Sequence, residues 1–415
     1  MKKVLVIGGG AGGILAAIIA AKNGADVTLW ERNDRLGKKL AITGKGRCNV
    51  TNAGSTDDII KNLTGNGRFM YSALNTFSND DTMAFFEEIG VELKVERGRR
   101  VFPVTDKAMT VVSALKKELK RQNVKIKYNH RATELLTADG MISGAVCNFG
   151  SFPFDAVILA TGGCTYKGTG SSGDGYDLAK QVGHSITAIL PSLVPLVADE
   201  DWISELAGLS LKNSKIELYN EKGKKLAGDF GEMLFTHFGL SGPCILSLSD
   251  TAARHWLKKP DETLTVKIDL KPALTEEQLD DRIQRDFQKY SRKIFANSLG
   301  DLLPKSLIPV VIRLSEINPE TPVNQITREE RRRLLELLKN FPVKVSGTRP
   351  LNEGIVTAGG VTVKEVNPKT FESKIVPGLY IVGELLDVHG FTGGYNLQAA
   401  FSSGFVAGEA AAEEW

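Results

Sequence analysis

The chain has 415 residues, 42% of them hydrophobic and 24% charged, with a formal net charge of +3. That composition builds a globular protein with ample core and supplies no bulk charge for binding nucleic acid or a membrane surface. Cys48, Cys147, Cys164 and Cys244 form no C-x-x-C pair, which excludes a disulfide scaffold, a Cys-rich zinc module and a dithiol reductase centre and fits a reducing compartment. Glycine is plentiful (42 residues) and proline is not (15), a balance of tight turns and close backbone approaches rather than disorder.

Residues 3–7 read as an apolar strand, 12–22 as a helix and 26–30 as a second strand, a βαβ unit that implies a parallel sheet. The lysines and apolar run of this opening resemble a signal peptide, but glycines interrupt the run. It is therefore read as part of the fold, and the chain as cytoplasmic with no membrane span. An amphipathic helix is expected over 107–122 and a strand over 124–128. Three short strands at 131–138, 141–148 and 150–154 then form an antiparallel meander turning at Asp139-Gly140. Residues 155–160 are a buried strand ending in Thr161-Gly162-Gly163.

Beyond Pro191 short strand candidates such as 215–219 and 264–268 suggest a small β domain. The stretch from Thr275 to about Asn340 is helical, with capping boxes at Thr275/Gln278 and Thr327/Glu330. Strands and glycine turns return near 342, and a last helix covers 396–413. The expected class is α/β: a Rossmann-like nucleotide-binding domain made of both chain ends (1–190 and 356–415) around an insertion. The insertion consists of that β domain (191–274, returning over 341–355) and the helical stretch (275–340).

The strongest motif is Gly8-Gly9-Gly10-Ala11-Gly12-Gly13, a G-x-G-x-x-G between strand and helix. Its glycines serve the turn, the approach of a diphosphate to bare backbone, and close helix–strand packing. The helix N-terminus then offers free N–H groups and a positive dipole end to the phosphates. Glu31, at the end of the second strand, is suited to hold ribose hydroxyls and disfavours a 2′-phosphate. Together these predict dinucleotide binding without separating FAD from NAD. A second formal match, Gly168 to Gly173, lacks a preceding strand and a following acid-tipped strand, so it reads as a loop capping a helix.

Five further segments carry a family resemblance. They are Gly37-Lys-Lys-Leu40 with Thr43-Gly-Lys-Gly-Arg-Cys-Asn-Val-Thr-Asn52; Gly98-Arg-Arg-Val-Phe-Pro103; and Ala160-Thr-Gly-Gly163 with Gly173-Asp-Gly-Tyr176. The others are Gly231-Glu-Met-Leu-Phe-Thr-His237 with Gly239-Leu-Ser-Gly-Pro243, and Gly383-Glu-Leu-Leu-Asp387 with Gly390-Phe-Thr-Gly-Gly-Tyr-Asn-Leu-Gln398. In order and over nearly the whole chain, they resemble the bacterial FAD-binding family of NAD(P)/FAD-dependent oxidoreductases that includes BaiN-type reductases and aminoacetone-oxidase-like flavoproteins.

The resemblance implies one FAD in a glutathione-reductase-like domain carrying an inserted barrel and helical subdomain. Gly8, Gly10, Ala11, Gly12, Gly13, Glu31, Arg32 and Lys39 would serve the adenosine and diphosphate, and Ala132 the adenine. Thr161, Gly162 and Gly163 would lie along the cofactor. Gly383 with Glu384, or Asp387 in competition, would serve the ribityl chain. Gly44, Gly46, Arg47, Cys48 and Asn49 are expected over the isoalloxazine. Gly394, Tyr395, Asn396 and Leu397 begin the last helix, whose N-terminus would face the flavin N1–C2=O edge.

Candidate catalytic residues are Cys48, whose neighbours Lys45 and Arg47 would lower its pKa, His237 and His389 as proton donors, and Tyr395. Each has a plain structural alternative: a small buried thiol, two structural histidines, a packing tyrosine. The run Arg328 to Arg333 is interleaved with glutamates and reads as a solvated face rather than a nucleic-acid patch. No metal-ligand spacing and no G-x-S-x-G elbow appears.

The expected activity is hydride transfer between flavin N5 and a small-molecule substrate, with NAD(P)H as a transient donor. The alternatives are an oxygen-using amine oxidase, a flavin-dependent RNA-modifying or RNA-binding protein, and a flavin-binding redox sensor. The insertion is expected to roof the flavin and set specificity. The substrate and the oligomeric state are left open.

Overall fold

The β-branched, apolar segment Lys3–Ile7 is the middle strand of a parallel sheet in the computed structural model, which describes residues 1–413. Across that five-stranded sheet the order is Leu379–Ile381, Ala156–Leu159, Lys3–Ile7, Asp26–Glu31 and Lys125–Tyr128. Ala156–Leu159 is buried at every position, as its unbroken apolar run requires of a strand covered on both faces. The sheet belongs to one of two compact units, residues 1–191 with 354–413; the other is residues 192–353.

In the first unit the helix Ala11–Lys22 is buried from Gly12 to Ala20 and packs against the C-terminal helix Tyr395–Ala412. The small residues of the last helix make that crossing close. A Cβ on Gly404 would overlap the Gly12 carbonyl oxygen, and one on Gly408 would stand 2.6 Å from that of Ala16. Between the strands Lys125–Tyr128 and Ala156–Leu159 runs the meander Ala132–Ala138, Met141–Cys147 and Gly150–Pro153, antiparallel throughout.

Three features of this unit were not read from the sequence. The helices Thr56–Asn62 and Asn79–Glu88 each open on a full capping box, Ser55 with Asp58 and Ser78 with Asp81, worth about 1 kcal/mol each. A small antiparallel sheet joins Thr51–Asn52, Arg100–Pro103 and Leu93–Glu96. The helix Lys38–Gly46 runs into the segment read as a pure loop, and its regular geometry breaks at Thr43.

The second unit is a closed six-stranded barrel: Leu196–Ala198, Gly239–Ser241, Lys225–Thr236, Ser210–Tyr219, Leu264–Asp269 and Phe341–Thr348. The helices Glu276–Lys289, Leu307–Ser315 and Arg328–Lys339 contribute to the same apolar core through Leu279, Ile283, Val310, Leu334 and Leu338. Both expected capping boxes are formed. The sixteen-residue helix Pro243–Lys258 stands in a region read only as short strands. It follows the barrel strand Gly239–Ser241 through the turn-like pair Gly242-Pro243, but Pro243 is at the first helical turn, where a missing N–H costs nothing.

Candidate functional site

At the first glycine turn the three motif glycines do different work. A Cβ on Gly13 would overlap the Gly8 carbonyl oxygen and one on Gly8 the Ala160 carbonyl oxygen, so both are set by packing. A Cβ on Gly10 would meet no atom within 4 Å; that side of the turn faces open space. The helix beginning there has no capping side chain and no acidic residue in its first turn, so its leading N–H groups and dipole end are not neutralised. Glu31 is buried beside this turn, its Oε2 accepting from Gly9 N at 2.9 Å and its Oε1 from Asn33 N and Nδ2 at 2.8 and 2.7 Å.

The second glycine string lies at the same end of the site. Asn33 Nδ2 donates to the Thr169 carbonyl at 3.1 Å, and Arg32 donates to Ser172 Oγ and, at 3.0 Å, to Asp174. Gly173 is the N-cap of the helix Asp174–Gln181, the loop-and-cap role read for it. Arg131 donates to Asp174 at 2.7 Å. Burial pushes the Asp174 carboxyl up, but Arg131, Ser172 and Arg32 outweigh it and hold the group below its usual range. Ala132 is buried at the start of the meander.

After the strand Ala156–Leu159, Thr161 Oγ1 is buried with no hydrogen-bond partner among the described residues, and so is the hydroxyl of Tyr176. Burial raises the Tyr176 phenol, and Glu384, Cys164 and Asp387 raise it further, so it stays protonated. Gly162 precedes Gly163, where a Cβ would overlap Thr357 Oγ1. Glu384 is fully engaged: Lys39 Nζ donates to its Oε2 at 2.6 Å and Thr357 N to its Oε1 at 2.9 Å. Gly383 N donates to Ser403 Oγ at 3.0 Å, tying this turn to the last helix. The half-buried Asp387 carboxylate has no such partner among the described residues.

The segment after Lys38 is backbone-strained. Gly44 and Lys45 are left-handed, Gly46 has φ +83°, and the non-glycine Cys48 has φ +63°. For the non-glycine Lys45 and Cys48 this costs about 1–3 kcal/mol each and persists only where surroundings impose it. Cys48 is fully buried, its N–H bound to the Thr43 carbonyl, and burial pushes its thiol up to about 12. This corrects the expectation of a lowered pKa. Lys45 is exposed, and Arg47 is taken by Glu96 at 2.7 Å and Asp106 at 3.2 Å while stacking on Phe102. Asn49 Oδ1 is buried without a partner among the described residues.

The two most distinctive strings of the sequence are bound to each other. Thr51 Oγ1 donates to Gln398 Oε1 at 2.5 Å, and Asn52 Nδ2 donates to the carbonyls of Gly393 at 3.0 Å and Gly98 at 3.1 Å. Gly394 caps the last helix with φ +98°, and a Cβ there would overlap the Thr51 backbone. Asn396 clamps the preceding loop, accepting from Gly390 N at 2.8 Å and donating to the Gly390 and Phe391 carbonyls. No side chain caps this helix and no acid stands in its first turn, where Tyr395 and Leu397 sit. Burial and Asp58 raise the Tyr395 phenol against the opposing Arg99, so it too is protonated at neutral pH.

The histidines divide. His389 is buried in the first unit, packed on Gly65, whose N–H donates to its carbonyl at 3.2 Å. His237 is exposed in the second unit, in the turn joining two barrel strands and edge-on to Phe238. The string Gly239-Leu-Ser-Gly-Pro243 has a barrel reason: a Cβ on Gly239 would overlap the Leu196 carbonyl oxygen. Neither Gln398 nor Thr51 was singled out from the sequence, although both lie inside the quoted strings.

The HI0933-like protein Rossmann domain matches residues 2–410. The chain belongs to this family. It is 35% identical over 416 residues to a 3-dehydro-bile acid delta(4,6)-reductase of Clostridium scindens, covering 100% of both chains. It is 31% identical over 407 residues to a ribosomal RNA dihydrouridine synthase of Haemophilus influenzae, covering 97% of this chain and 96% of the relative. Among solved structures, a 3-ketosteroid-delta4-(5alpha)-dehydrogenase from Rhodococcus jostii superposes with a TM-score of 0.54 at 16% identity, over 100% of this chain and 97% of the other. That likeness shows the fold alone. The family resemblance and the Rossmann-like FAD fold drawn from the sequence are thus both borne out, and the chain is a member of a FAD-binding oxidoreductase family. Among the described residues no helix is long and apolar enough to cross a membrane, and no group of His, Cys, Asp and Glu is arranged to hold a metal ion.

Proposed function

We propose that the chain is a FAD-dependent reductase that saturates a polarised carbon–carbon double bond in a small organic substrate, with NAD(P)H as the source of reducing equivalents. The observation that carries this reading is its full-length relatedness to two proteins whose names state one chemistry. A delta(4,6)-reductase and a dihydrouridine synthase both add two hydrogens across a double bond.

The residues present fit FAD. The open side of Gly10 and the uncapped N–H groups of Ala11, Gly12 and Gly13 suit a diphosphate, and Glu31, accepting from Gly9 N and Asn33, fixes the turn beside them. Thr161 Oγ1, Tyr176 Oη and Asn49 Oδ1 are buried polar atoms with no hydrogen-bond partner among the described residues, as expected where a polar ligand completes the bonding. Asp387, whose carboxylate is open, suits the ribityl chain better than Glu384, which Lys39 and Thr357 already occupy.

When bound, FAD supplies hydride transfer at N5. The chain supplies the rest. The N-terminus of Tyr395–Ala412 would offer a positive dipole end to a reduced flavin, and Asn52, Thr51 and Asn396 keep that end in place. Saturating a double bond also needs a proton, and Tyr395 Oη holds one at neutral pH. Cys48, a buried thiol raised to about 12, is left a packing role.

A second reading, uridine in RNA as substrate, is favoured by the Haemophilus influenzae relative. Against it, the second unit carries as many acidic as basic side chains. Within the Arg328–Arg333 run, Arg331 is paired with Asp280 at 2.7 Å and Glu330 caps its own helix. Incubating holoprotein and NADPH separately with a 3-keto-4-ene steroid and with a ribosomal RNA transcript, then weighing the products, separates the two. A two-hydrogen gain on the steroid alone supports the small-molecule reading, and a gain confined to the RNA replaces it. Peroxide release from an amine under oxygen, with neither gain, returns the amine-oxidase alternative.

A further inference from the structure

The hairpin that joins Leu93–Glu96 to Arg100–Pro103 turns through Arg97, Gly98 and Arg99. Three of its four residues from 97 to 100 are arginines, and all three are exposed. Arg97 has no side-chain partner among the described residues. Arg100 donates one hydrogen bond, from Nε to the Arg97 carbonyl at 3.0 Å, with its guanidinium 5.7 Å from the centre of the Phe102 ring, and Arg99 makes one exposed pair with Asp58 at 2.9 Å. Arg99 also has φ +57°, next to Gly98 at +77°. Position 99 is thus a place for glycine or asparagine, yet it holds a bulky cation against its backbone preference.

This cationic tip is fastened to the candidate site. The single amide of Asn52 bridges the Gly98 carbonyl in the hairpin and the Gly393 carbonyl just before the helix cap Gly394. The Ala53 N–H adds a bond to the Arg99 carbonyl at 2.7 Å. Arg99 and Asp58 are the charges felt by Tyr395 in that helix's first turn. An uncapped helix N-terminus and three arginines therefore stand side by side, and no acidic residue of the helix neutralises them.

We propose that the hairpin Arg97–Arg100 is the docking site for the phosphates of the reduced pyridine nucleotide. This rests on the reading of the chain as an NAD(P)H-driven flavoenzyme. Among the described residues there is no second nucleotide fold for the donor: the other glycine string is spent on capping the helix Asp174–Gln181 and on Asn33 and Arg32. A diphosphate is a dianion whose tetrahedral phosphates each present paired oxygens to a guanidinium fork. Held there, it would leave the nicotinamide free to pass its hydride to the bound flavin.

The test uses FAD-loaded protein and stopped-flow bleaching under anaerobic NADPH, and separately NADH, in the wild type and in Arg97→Ala, Arg99→Gly and Arg100→Gln. The dissociation constant of the nucleotide should rise by roughly ten- to hundredfold, the weight of one charge-assisted hydrogen bond. The limiting bleaching rate, FAD content and oxidation by substrate should hold. Arg99→Gly relieves the left-handed strain, so its thermal midpoint should not fall below that of the wild type, a combination a purely structural arginine would not give. Unchanged nucleotide affinity in all three variants overturns the docking site while leaving the donor reading intact. A loss confined to the oxidising substrate overturns it too, by assigning the arginines to that substrate. No bleaching of the wild type by either nucleotide removes the donor reading and this site with it.

Discussion

Lys39 Nζ stands 2.6 Å from Glu384 Oε2, an ion pair that takes the more obvious of two neighbouring carboxylates out of contention for a ligand and leaves Asp387 open. Its members lie far apart in sequence, on the helix Lys38–Gly46 and on the Gly383 turn, so the pair also clamps two walls of the site.

The two acids should therefore separate on substitution. Asp387→Asn should weaken FAD binding by roughly tenfold or more through loss of a charged acceptor, with little change in the melting of the apoprotein. Glu384→Gln should chiefly lower apoprotein stability, by about 1–2 kcal/mol, because it weakens the bonds from Lys39 and Thr357 N. Flavin-fluorescence titration and urea melts of both variants check this, and a reversed pattern would return Glu384 to the ribityl chain.

The first glycine turn makes a similar division. Gly13→Ala forces a Cβ into the Gly8 carbonyl and should destabilise the apoprotein by at least about 2 kcal/mol. Gly10→Ala places its methyl in open space and costs only the poorer N-cap, so the apoprotein should lose about 1 kcal/mol while FAD affinity drops. Paired denaturation and FAD titrations read both quantities.

Cys48 gives a pH dependence with a definite sign. Its thiol is raised from an ordinary 9.0 to about 12 by burial, so the folded chain keeps a proton that the unfolded chain releases. The stabilisation is complete below about pH 9 and drains as pH rises towards 12. Cys48→Ala should flatten that alkaline limb, and native protein should resist iodoacetamide at Cys48 at pH 8 until unfolded. Rapid native alkylation there would contradict the burial account.

Asn52 joins the hairpin, the strained segment and the last helix in one residue. Asn52→Ala removes both donated bonds and leaves the Gly98 and Gly393 carbonyls without them, a cost of about 1–3 kcal/mol. It should also lower the midpoint potential of bound flavin, because the dipole end that favours the reduced form loses its anchor. Spectroelectrochemistry of the holoprotein measures this directly.

Much of the first unit was legible because its signals are local. The glycine turn, the apolar strands and the Asp139-Gly140 meander depend on spacing within a few residues. Cys48 shows the limit. Its sequence neighbours Lys45 and Arg47 suggest an activated thiol, yet Arg47 is drawn to Glu96 and the thiol is turned inward. The bond between Thr51 and Gln398 spans 347 residues, and no local rule reveals it. The helix Pro243–Lys258 was hidden by a turn-like start, although Cys244, Ile245, Leu248 and Ala252 trace a buried face at helical spacing.

The central claim is that electrons pass through bound FAD into a carbon–carbon double bond. The most direct test is an anaerobic single turnover: reduce the holoprotein with one equivalent of NADPH, then add one equivalent of a 3-keto-4-ene steroid. The account predicts that the oxidised-flavin absorbance disappears, returns on addition of the enone, and leaves one equivalent of saturated ketone. Flavin that bleaches but is reoxidised only by oxygen, with the enone recovered unchanged, would contradict it.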